Sequence, residues 1–185
     1  MDISDEDLIK KYLNGNQESL KQIIERYTPI LYNFAVRFVG IDNTPDILQD
    51  VFIKVWKNIY KFDVSRAHFK TWVFTITRNT ITDYLRKKKM VVFSSLDKGE
   101  EYFSDNIKDE SILPDEAMSK LEDKEFLNKI LLEIPEKYRE VLILYYQEEM
   151  TFAQIGQILN KPMNTVKSYH YRAMLLLKKI ALHQN

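Results

Sequence analysis

Cysteine is absent from this sequence, and glycine and proline are scarce, with 4 and 5 residues among 185. The lack of cysteine excludes disulfide bonds and thiolate metal sites, and it fits a reducing cytoplasm. The scarcity of Gly and Pro argues against a loop-rich or all-β chain. No run of about 18 apolar residues is present, so no segment is predicted to span a membrane. The acidic, polar start, MDISDEDLIKK, does not have the pattern of a secretory signal, and we expect a cytoplasmic protein.

Signatures of catalysis are also missing. The three histidines, His68, His170 and His183, are scattered and lack the spacing of metal ligands. The sequence contains no glycine-rich phosphate loop and no nucleophile paired with a base. We therefore expect no enzymatic activity, no bound metal and no cofactor.

Charges are unevenly distributed, although the formal net charge is zero. Residues 1–90 carry 15 basic and 11 acidic side chains, and residues 126–185 carry 8 and 5. Residues 91–125, in contrast, carry 4 basic and 11 acidic side chains. Two basic blocks thus flank an acidic connector, and no acid follows Glu149. This asymmetry says more about the partners of the chain than its total charge does.

Apolar residues recur at helical spacing in every segment long enough to assess. After two helices in the first 40 residues, the pattern predicts helices at 44–60, 66–89, 115–132, 136–148, 152–159 and 164–181. Between 91 and 114 the periodicity is lost and acidic residues dominate, which is typical of a linker. The prediction is an all-α fold in which two small helical domains, 1–90 and 115–185, are joined by an acidic linker, 91–114.

A short helix and a tight turn are predicted near the C-terminus. Thr151 and Gln154 have the spacing of a capping box, which opens the helix. Gly156 in the middle of this helix costs about 1 kcal/mol relative to Ala, which predicts a close crossing by another helix. Asn160 stands where a chain leaving a helix needs a left-handed residue, and Pro162 prevents the helix from continuing.

The next predicted helix, 164–181, has two different faces, and Asn164 or Thr165 is expected to cap it. One stripe is suited to the interior of the domain: Val166, His170, Ala173, Leu177 and Ile180. The polar side carries no acid, and its members are Asn164, Thr165, Lys167, Ser168, Tyr171 and Arg172. We expect these residues, and Thr151 and Gln154 of the capping box, to contact DNA.

Helix, turn and helix in this order are typical of the helix–turn–helix, whose second helix enters the major groove of DNA. The alternative is an αα-hairpin with a solvated face. A solvated face normally mixes Glu with Lys, and this one contains no acid. The pattern therefore favours DNA binding.

Helix 44–60 carries a second stripe beside its core stripe. The second stripe mixes acids, an amide and large apolar side chains: Asp46, Gln49, Asp50, Ile53, Trp56 and Tyr60. Aromatic anchors with a polar rim are typical of a protein interface. The alternative, equally favoured by the spacing, is that Trp56 completes the core against the next helix.

Helix 66–89 has a polar stripe that again lacks acid. Its members are Thr71, Thr75, Arg78, Asn79, Thr82, Arg86 and Lys89. Hydroxyls, an amide and Arg suit phosphates and base edges. The run Arg86-Lys87-Lys88-Lys89 exceeds what a helix dipole needs, so phosphate contact is favoured there, with Lys70 near the start of the helix.

Four segments in order resemble bacterial sigma factors of the extracytoplasmic-function type, which are sigma-70-like. They are RYTPILYNFAVRFVG at 26–40, TPDILQDVFIKVW at 44–56, FKTWVFTITRNTITDYLRKKK at 69–89, and IPEKYREVLILYYQEEMTFAQIGQILNKPMNTVKSYHYRAM at 134–174. The resemblance covers nearly all of the chain apart from the linker. It implies an all-helical subunit of RNA polymerase that directs promoter-specific transcription initiation.

The resemblance also implies a role for each segment. Residues that match the core-polymerase-binding motif are Asp46, Leu48, Gln49, Asp50, Phe52 and Trp56, and Ile53 belongs to the same stripe. Residues 61–89 match the part that reads and opens the −10 element, and 151–172 match the reader of the −35 element. Core RNA polymerase and promoter DNA are thus the implied partners, and an anti-sigma factor is expected for the family.

Some positions depart from the family pattern. His170 stands where the family usually has Leu, and Asn160 replaces a common Gly. Tyr169 and Tyr171 replace commoner Arg and His, so sequence preference does not carry over. A helix–turn–helix regulator that works without polymerase is the alternative function, but it leaves the stripes on 44–60 and 66–89 without a role.

Overall fold

A computed structural model of the chain describes residues 3–93 and 131–183. The chain divides into two compact units, and the described residues contain helices and turns but no strand. This agrees with the predicted all-α class. No helix within the described ranges is both long and apolar enough to cross a membrane.

The first unit contains four helices, α1 to α4. They span Asp5–Leu13, Gln17–Val39, Thr44–Asn58 and Phe69–Phe93, and a single 3₁₀ turn, Ile59–Lys61, follows α3. Helix α2 packs against α1, α3 and α4. The core of this unit is aromatic as well as aliphatic. Phe34 of α2 contacts Phe74 of α4 edge-on at 5.2 Å, and both side chains are buried, which fixes α4 against α2.

Residues 131–183, most of which belong to the second unit, contain α5, Glu136–Leu142, a π-helical turn, Ile143–Gln147, and the helices α6, Phe152–Leu159, and α7, Met163–His183. Helix α5 packs against α7. The shared core combines Tyr138 and Leu142 of α5 with Ala173 and Leu177 of α7. The ring of Tyr138 also contacts Tyr169 edge-on at 5.5 Å.

Several predicted boundaries need correction. Helix α4 begins at Phe69 rather than near Arg66, because residues 64–66 form a turn in which the Arg66 N–H donates to the Asp63 carbonyl. It also continues to Phe93, three residues into the predicted linker. The remainder of that linker, 94–114, and residues 115–130 of the predicted helix 115–132 lie outside the described residues, whereas 131–133 are helical. The predicted helix 136–148 is α5 followed by the π-helical turn.

Candidate functional site

The turn between α6 and α7 has the geometry that its residues predict. Thr151 and Gln154 form a reciprocal capping box, because the Thr151 N–H donates to Gln154 Oε1 at 2.8 Å and the Gln154 N–H donates to Thr151 Oγ1 at 3.3 Å. Asn160 adopts the left-handed conformation with φ of 50°. The N–H groups of Asn160 and Lys161 donate to the carbonyls of Gln157 and Gly156, which completes a Schellman motif.

Gly156 is required by the turn rather than by a helix crossing. A Cβ atom at this position would lie 2.8 Å from the carbonyl oxygen of Lys161. The predicted close approach is thus present, but its partner is the backbone of the turn itself. The missing side chain allows the chain to fold back tightly, and this sets the angle at which α7 leaves α6.

Helix α7 starts earlier than predicted. It begins at Met163, and the N–H of Val166 donates to the carbonyl of Pro162 at 3.2 Å. Asn164 and Thr165 therefore lie in the first turn of α7, and the prediction that one of them caps it is wrong. Their side chains belong to the polar face instead.

The polar face of α7 largely points to solvent. Asn164, Lys167 and Ser168 are exposed, and Tyr171 retains 40% of its surface. Thr165 and Arg172 are half-buried. On the opposite side, Val166 and Ala173 are fully buried. Because α7 carries no acid, the face combines positive charge with hydroxyl and amide groups, which suit phosphates and base edges.

An aromatic cluster supports α7 from behind, and its members are Tyr145, Tyr146, Phe152 and His170. Tyr145 stacks on Phe152 with centroids 4.7 Å apart and lies 4.9 Å from the ring of His170. The hydroxyl of Tyr146 lies 3.2 Å from His170 Nε2. Burial lowers the pKa of His170 and raises the pKa of Tyr146. The two tyrosines lie on the π-helical turn, which helical periodicity does not reveal, so sequence reasoning missed them.

The second stripe of α3 is a surface. Asp46, Gln49 and Asp50 are exposed, and Trp56 keeps 56% of its surface in solvent. The alternative that Trp56 completes the core is therefore wrong. Two residues of the predicted polymerase-binding set have a different position: Leu48 is buried and Phe52 is half-buried, so Leu48 supports the helix from within.

A groove continues this stripe beyond the C-terminal end of α3. It has a volume of about 750 Å³, and Trp56 and Tyr60 form one wall. Tyr12, Leu13 and Lys21 of α1 and α2 also line it. Leu13 is half exposed although it belongs to the apolar pattern of α1, and sequence reasoning did not place it at a site. Exposed aromatic and aliphatic side chains around one concavity are typical of a protein-binding surface.

The polar stripe of α4 is only partly a surface. Asn79, Thr82 and the basic residues 86–88 are exposed, while Lys70, Thr75 and Arg78 are half-buried. Thr71 is 1% exposed, so the surface position expected for it is wrong, and its contact with DNA stays a prediction. Arg86 is already paired with Asp83 at 3.0 Å. The side chain of Lys89 lies outside the described part of the helix.

Comparisons with known proteins give a consistent assignment. The family description "Sigma-70 region 2" matches residues 23–90, and "Sigma-70, region 4" matches residues 127–177. The ECF RNA polymerase sigma factor SigW of Bacillus subtilis is 33% identical over 176 residues, covering 92% of this chain and 93% of its own length. The ECF RNA polymerase sigma-E factor of Escherichia coli is 25% identical over 174 residues, covering 92% and 91%.

Solved structures agree with the fold. The sigma factor RpoE of Bartonella quintana, in a complex with the anti-sigma factor NepR, has a TM-score of 0.67 at 25% identity, covering 88% of this chain and 96% of its own. CnrH, in a complex with the cytosolic domain of CnrY, has a TM-score of 0.69 at 19% identity, covering 98% and 99%. At this lower identity, the second likeness supports the fold alone.

Proposed function

This chain belongs to the extracytoplasmic-function family of sigma-70 RNA polymerase sigma factors, and from that premise we propose which of its surfaces bind core polymerase, the −35 element and the −10 element. As a sigma factor, it binds core RNA polymerase and directs promoter-specific transcription initiation. Proteins of this family are not enzymes in general. We expect this chain to act in the cytoplasm and to contribute no catalysis of its own.

The polar face of α7 reads the −35 element. The observation that carries this assignment is an exposed, acid-free face that directly follows a Schellman turn and a capping box. Lys167 and Arg172 supply charge for phosphates, and Asn164, Ser168 and Tyr171 supply donors and acceptors for base edges. Thr151 and Gln154, which fix the start of α6, lie where the first helix of such a motif meets the DNA backbone.

The second stripe of α3 binds core polymerase. Trp56 and Ile53 are the apolar anchors, and Asp46, Gln49 and Asp50 form a polar rim at the other end of the helix. Trp is enriched among the residues that contribute most to the binding energy of protein interfaces, so we expect burial of the exposed Trp56 ring to contribute strongly to polymerase binding. The groove beside Trp56 extends the apolar surface available to the same partner.

The exposed part of α4 contacts the −10 element. Asn79 and Thr82 are the exposed members that remain from the predicted polar stripe, and Arg86, Lys87 and Lys88 follow them on the same helix. A run of bases at the end of a helix is suited to the phosphates of the opened strands. Thr71 has no part in this proposal because it is buried.

An anti-sigma factor is a further proposed partner. The support is that RpoE was solved with the anti-sigma factor NepR. Any such partner that covers Trp56 would compete with core polymerase for the same stripe.

Run-off transcription tests the function directly. Core polymerase with this chain is expected to produce discrete transcripts from templates that core polymerase alone does not transcribe specifically. Suitable promoter templates are identified by sequencing the DNA that core polymerase retains in the presence of the chain. Sequence-specific duplex binding by the isolated chain, without stimulation of core polymerase, would contradict the proposal and favour a polymerase-independent regulator.

The stripe is tested separately by combining Gln49→Ala with Trp56→Ala. We expect affinity for core polymerase to fall by at least about tenfold, because an interface anchor is worth about 2 kcal/mol or more. Helicity is expected to persist, since both side chains are exposed. Gln22→Ala is the matched control, since it removes an exposed amide side chain from α2, in the same unit but outside the stripe.

A further inference from the structure

Helix α1 has no part in the function proposed above, and the match to sigma-70 region 2 begins only after it, at residue 23. Its first residue, Asp5, nevertheless bonds to two neighbouring residues of α2. Arg26 Nη1 donates to Asp5 Oδ1 at 2.5 Å, and the hydroxyl of Tyr27 donates to Asp5 Oδ2. Arg26 Nη2 also donates to the carbonyl of Ile3 at 2.9 Å. A single carboxylate therefore fixes the start of α1 on α2.

The ring of Tyr27 continues this connection to α4. Tyr27 is 3% exposed, and its ring meets that of Phe69, the first residue of α4, edge-on at 5.2 Å. Phe62 and Trp72 complete the group, with ring centroids 5.5 and 5.6 Å from that of Phe69. We call these four rings the aromatic base: Tyr27, Phe62, Phe69 and Trp72. Aromatic contacts at such distances are favourable beyond the area that they bury, so the aromatic base ties α2 to the start of α4.

The aromatic base also closes the loop at 62–68, which leads from the 3₁₀ turn into α4. Phe62 opens this loop and Phe69 follows it, so the contact between their rings holds the two ends of the loop together. Inside the loop, Asp63 Oδ1 accepts from the N–H and the hydroxyl of Ser65 at 3.0 and 2.7 Å. These local bonds define the shape of the loop, whereas the rings define where it lies on the first unit.

Packing alone does not require the polar end of this connection. Helix α1 packs on α2 and buries Leu8 and Ile9, but apolar burial is not directional. Hydrogen bonds to a carboxylate are directional and strong. The side chain of Asp5 is only 19% exposed, so water competes little for its bonds. The carboxylate therefore fixes the position of the Tyr27 hydroxyl and, with it, the direction of the ring.

We propose that Asp5 and Tyr27 are positioning residues for promoter opening. Asp5 sets the direction of the Tyr27 ring, and the contact of that ring with Phe69 sets where the start of α4 and the loop before it lie. This inference rests on the proposed contact of α4 with the −10 element. Neither residue meets the DNA itself, because Tyr27 is buried and the Asp5 carboxylate would repel phosphates. Both act through Phe69, at which the loop passes into α4.

The test separates promoter opening from promoter binding in holoenzyme reconstituted from core polymerase and the full chain. The promoter is a duplex that wild-type holoenzyme selects from a randomised pool. Permanganate reactivity of unpaired thymines measures the open complex, and an electrophoretic mobility shift measures all bound promoter. Tyr27→Phe and Asp5→Ala are each expected to lower the ratio of open to closed complex by about threefold or more, the size of one lost hydrogen bond. The affinity for core polymerase is expected to stay at the wild-type value.

A double-mutant cycle identifies the route of the effect. Because Asp5 acts through the hydroxyl of Tyr27, the variant that combines Asp5→Ala with Tyr27→Phe should open the promoter no less than Asp5→Ala alone. Losses that add in the combined variant would overturn the inference, since two independently weakened contacts would produce them. Tyr27→Phe keeps the ring against Phe69, so this variant is expected to remain folded by circular dichroism.

Ile9→Val controls for a loss of stability alone. It removes one methyl group from a buried side chain of the same helix and leaves Asp5 and the aromatic base unchanged. Its cost in stability is of the same order as that of a lost hydrogen bond, but the ratio of open to closed complex is expected to match wild type. An equal loss of opening in Ile9→Val and Tyr27→Phe would overturn the inference. If Tyr27→Phe opens the promoter like wild type while Asn79→Ala opens it less, only the inference fails; if both open it like wild type, the proposed contact of α4 fails with it.

Discussion

Helices α4 and α7 carry similar polar stripes in the sequence, yet they use them differently in the structure. Both stripes combine hydroxyls, an amide and bases without an acid. On α7 the buried side chains all come from the other stripe, and no member of the polar face is buried. On α4 the polar stripe starts inside the unit, because Thr71 is buried, and it emerges only toward Asn79 and Thr82.

Threonine accounts for part of the difference. Inside a helix its hydroxyl is able to bond to the carbonyl four residues earlier, so a buried threonine need not leave a polar group unsatisfied. On α4, Thr77 bonds to the carbonyl of Val73 at 2.9 Å and Thr80 to that of Ile76 at 2.8 Å; both are buried, although neither belongs to the polar stripe. Within the stripe, half-buried Thr75 bonds to the carbonyl of Thr71 at 2.8 Å, whereas the buried hydroxyl of Thr71 itself has no partner in the described structure. A stripe of threonines is therefore weak evidence for a surface, whereas Lys167, which has no such option, is strong evidence.

The largest expected effect is on DNA binding by α7. Combining Lys167→Ala with Arg172→Ala should lower the promoter affinity of the holoenzyme by about tenfold or more. The slope of log affinity against log salt concentration should also become shallower by about one to two, because each lost phosphate contact releases fewer condensed ions. Affinity is measured at several salt concentrations. Lys179→Ala is the matched control, since it removes the same charge from an exposed position near the other end of α7. An unchanged salt slope in the double variant would make the α7 face an ordinary solvated surface.

The next effect is on the turn that distinguishes α7 from α4. Gly156→Ala is expected to destabilise the second unit by about 1–3 kcal/mol, because the new Cβ would lie 2.8 Å from a backbone oxygen that has little room to move. Thermal unfolding followed by circular dichroism checks this. Gln157→Ala, an exposed substitution on the same helix, should change stability by about 0.5 kcal/mol or less. A gain of about 1 kcal/mol in Gly156→Ala, the difference in helix propensity alone, would show that the turn relaxes easily.

A smaller effect, with the opposite sign, is expected at Thr71. Its hydroxyl is buried and has no hydrogen-bond partner in the described structure, so Thr71→Val should stabilise the first unit by about 1 kcal/mol. Thr77→Val is the control, because it removes a satisfied hydroxyl and should be closer to neutral. Both tryptophans, Trp56 and Trp72, lie in the first unit, so tryptophan fluorescence during urea unfolding reports on it alone. A loss of promoter opening in Thr71→Val would restore this residue to the DNA-contacting set.

Residue types with one structural option allowed accurate prediction. The capping box and the left-handed Asn160 were predicted and confirmed, because each motif has a fixed spacing and a local cause. Residue types that occur both in cores and on surfaces did not allow accurate prediction. Thr71 was placed on the surface, and the spacing alone did not decide whether Trp56 belongs to the core or to the surface. The π-helical turn was not predicted at all, because it is stabilised by contacts from Tyr145 and Tyr146 to residues on other helices.

The smallest expected effect concerns the left-handed positions themselves. Asn160 has φ of 50° and Glu149 has φ of 55°, and both carry a Cβ that is disfavoured in this region. Asn tolerates the conformation better than Glu, since its short side chain bonds locally. Asn160→Gly should therefore stabilise the helix–turn–helix by about 0.5 kcal/mol, and Glu149→Gly should stabilise the second unit by about 1 kcal/mol. Thermal unfolding by circular dichroism measures both. A larger gain at Asn160 than at Glu149 would mean that the turn before α7 is under more strain than the segment that follows the π-helical turn.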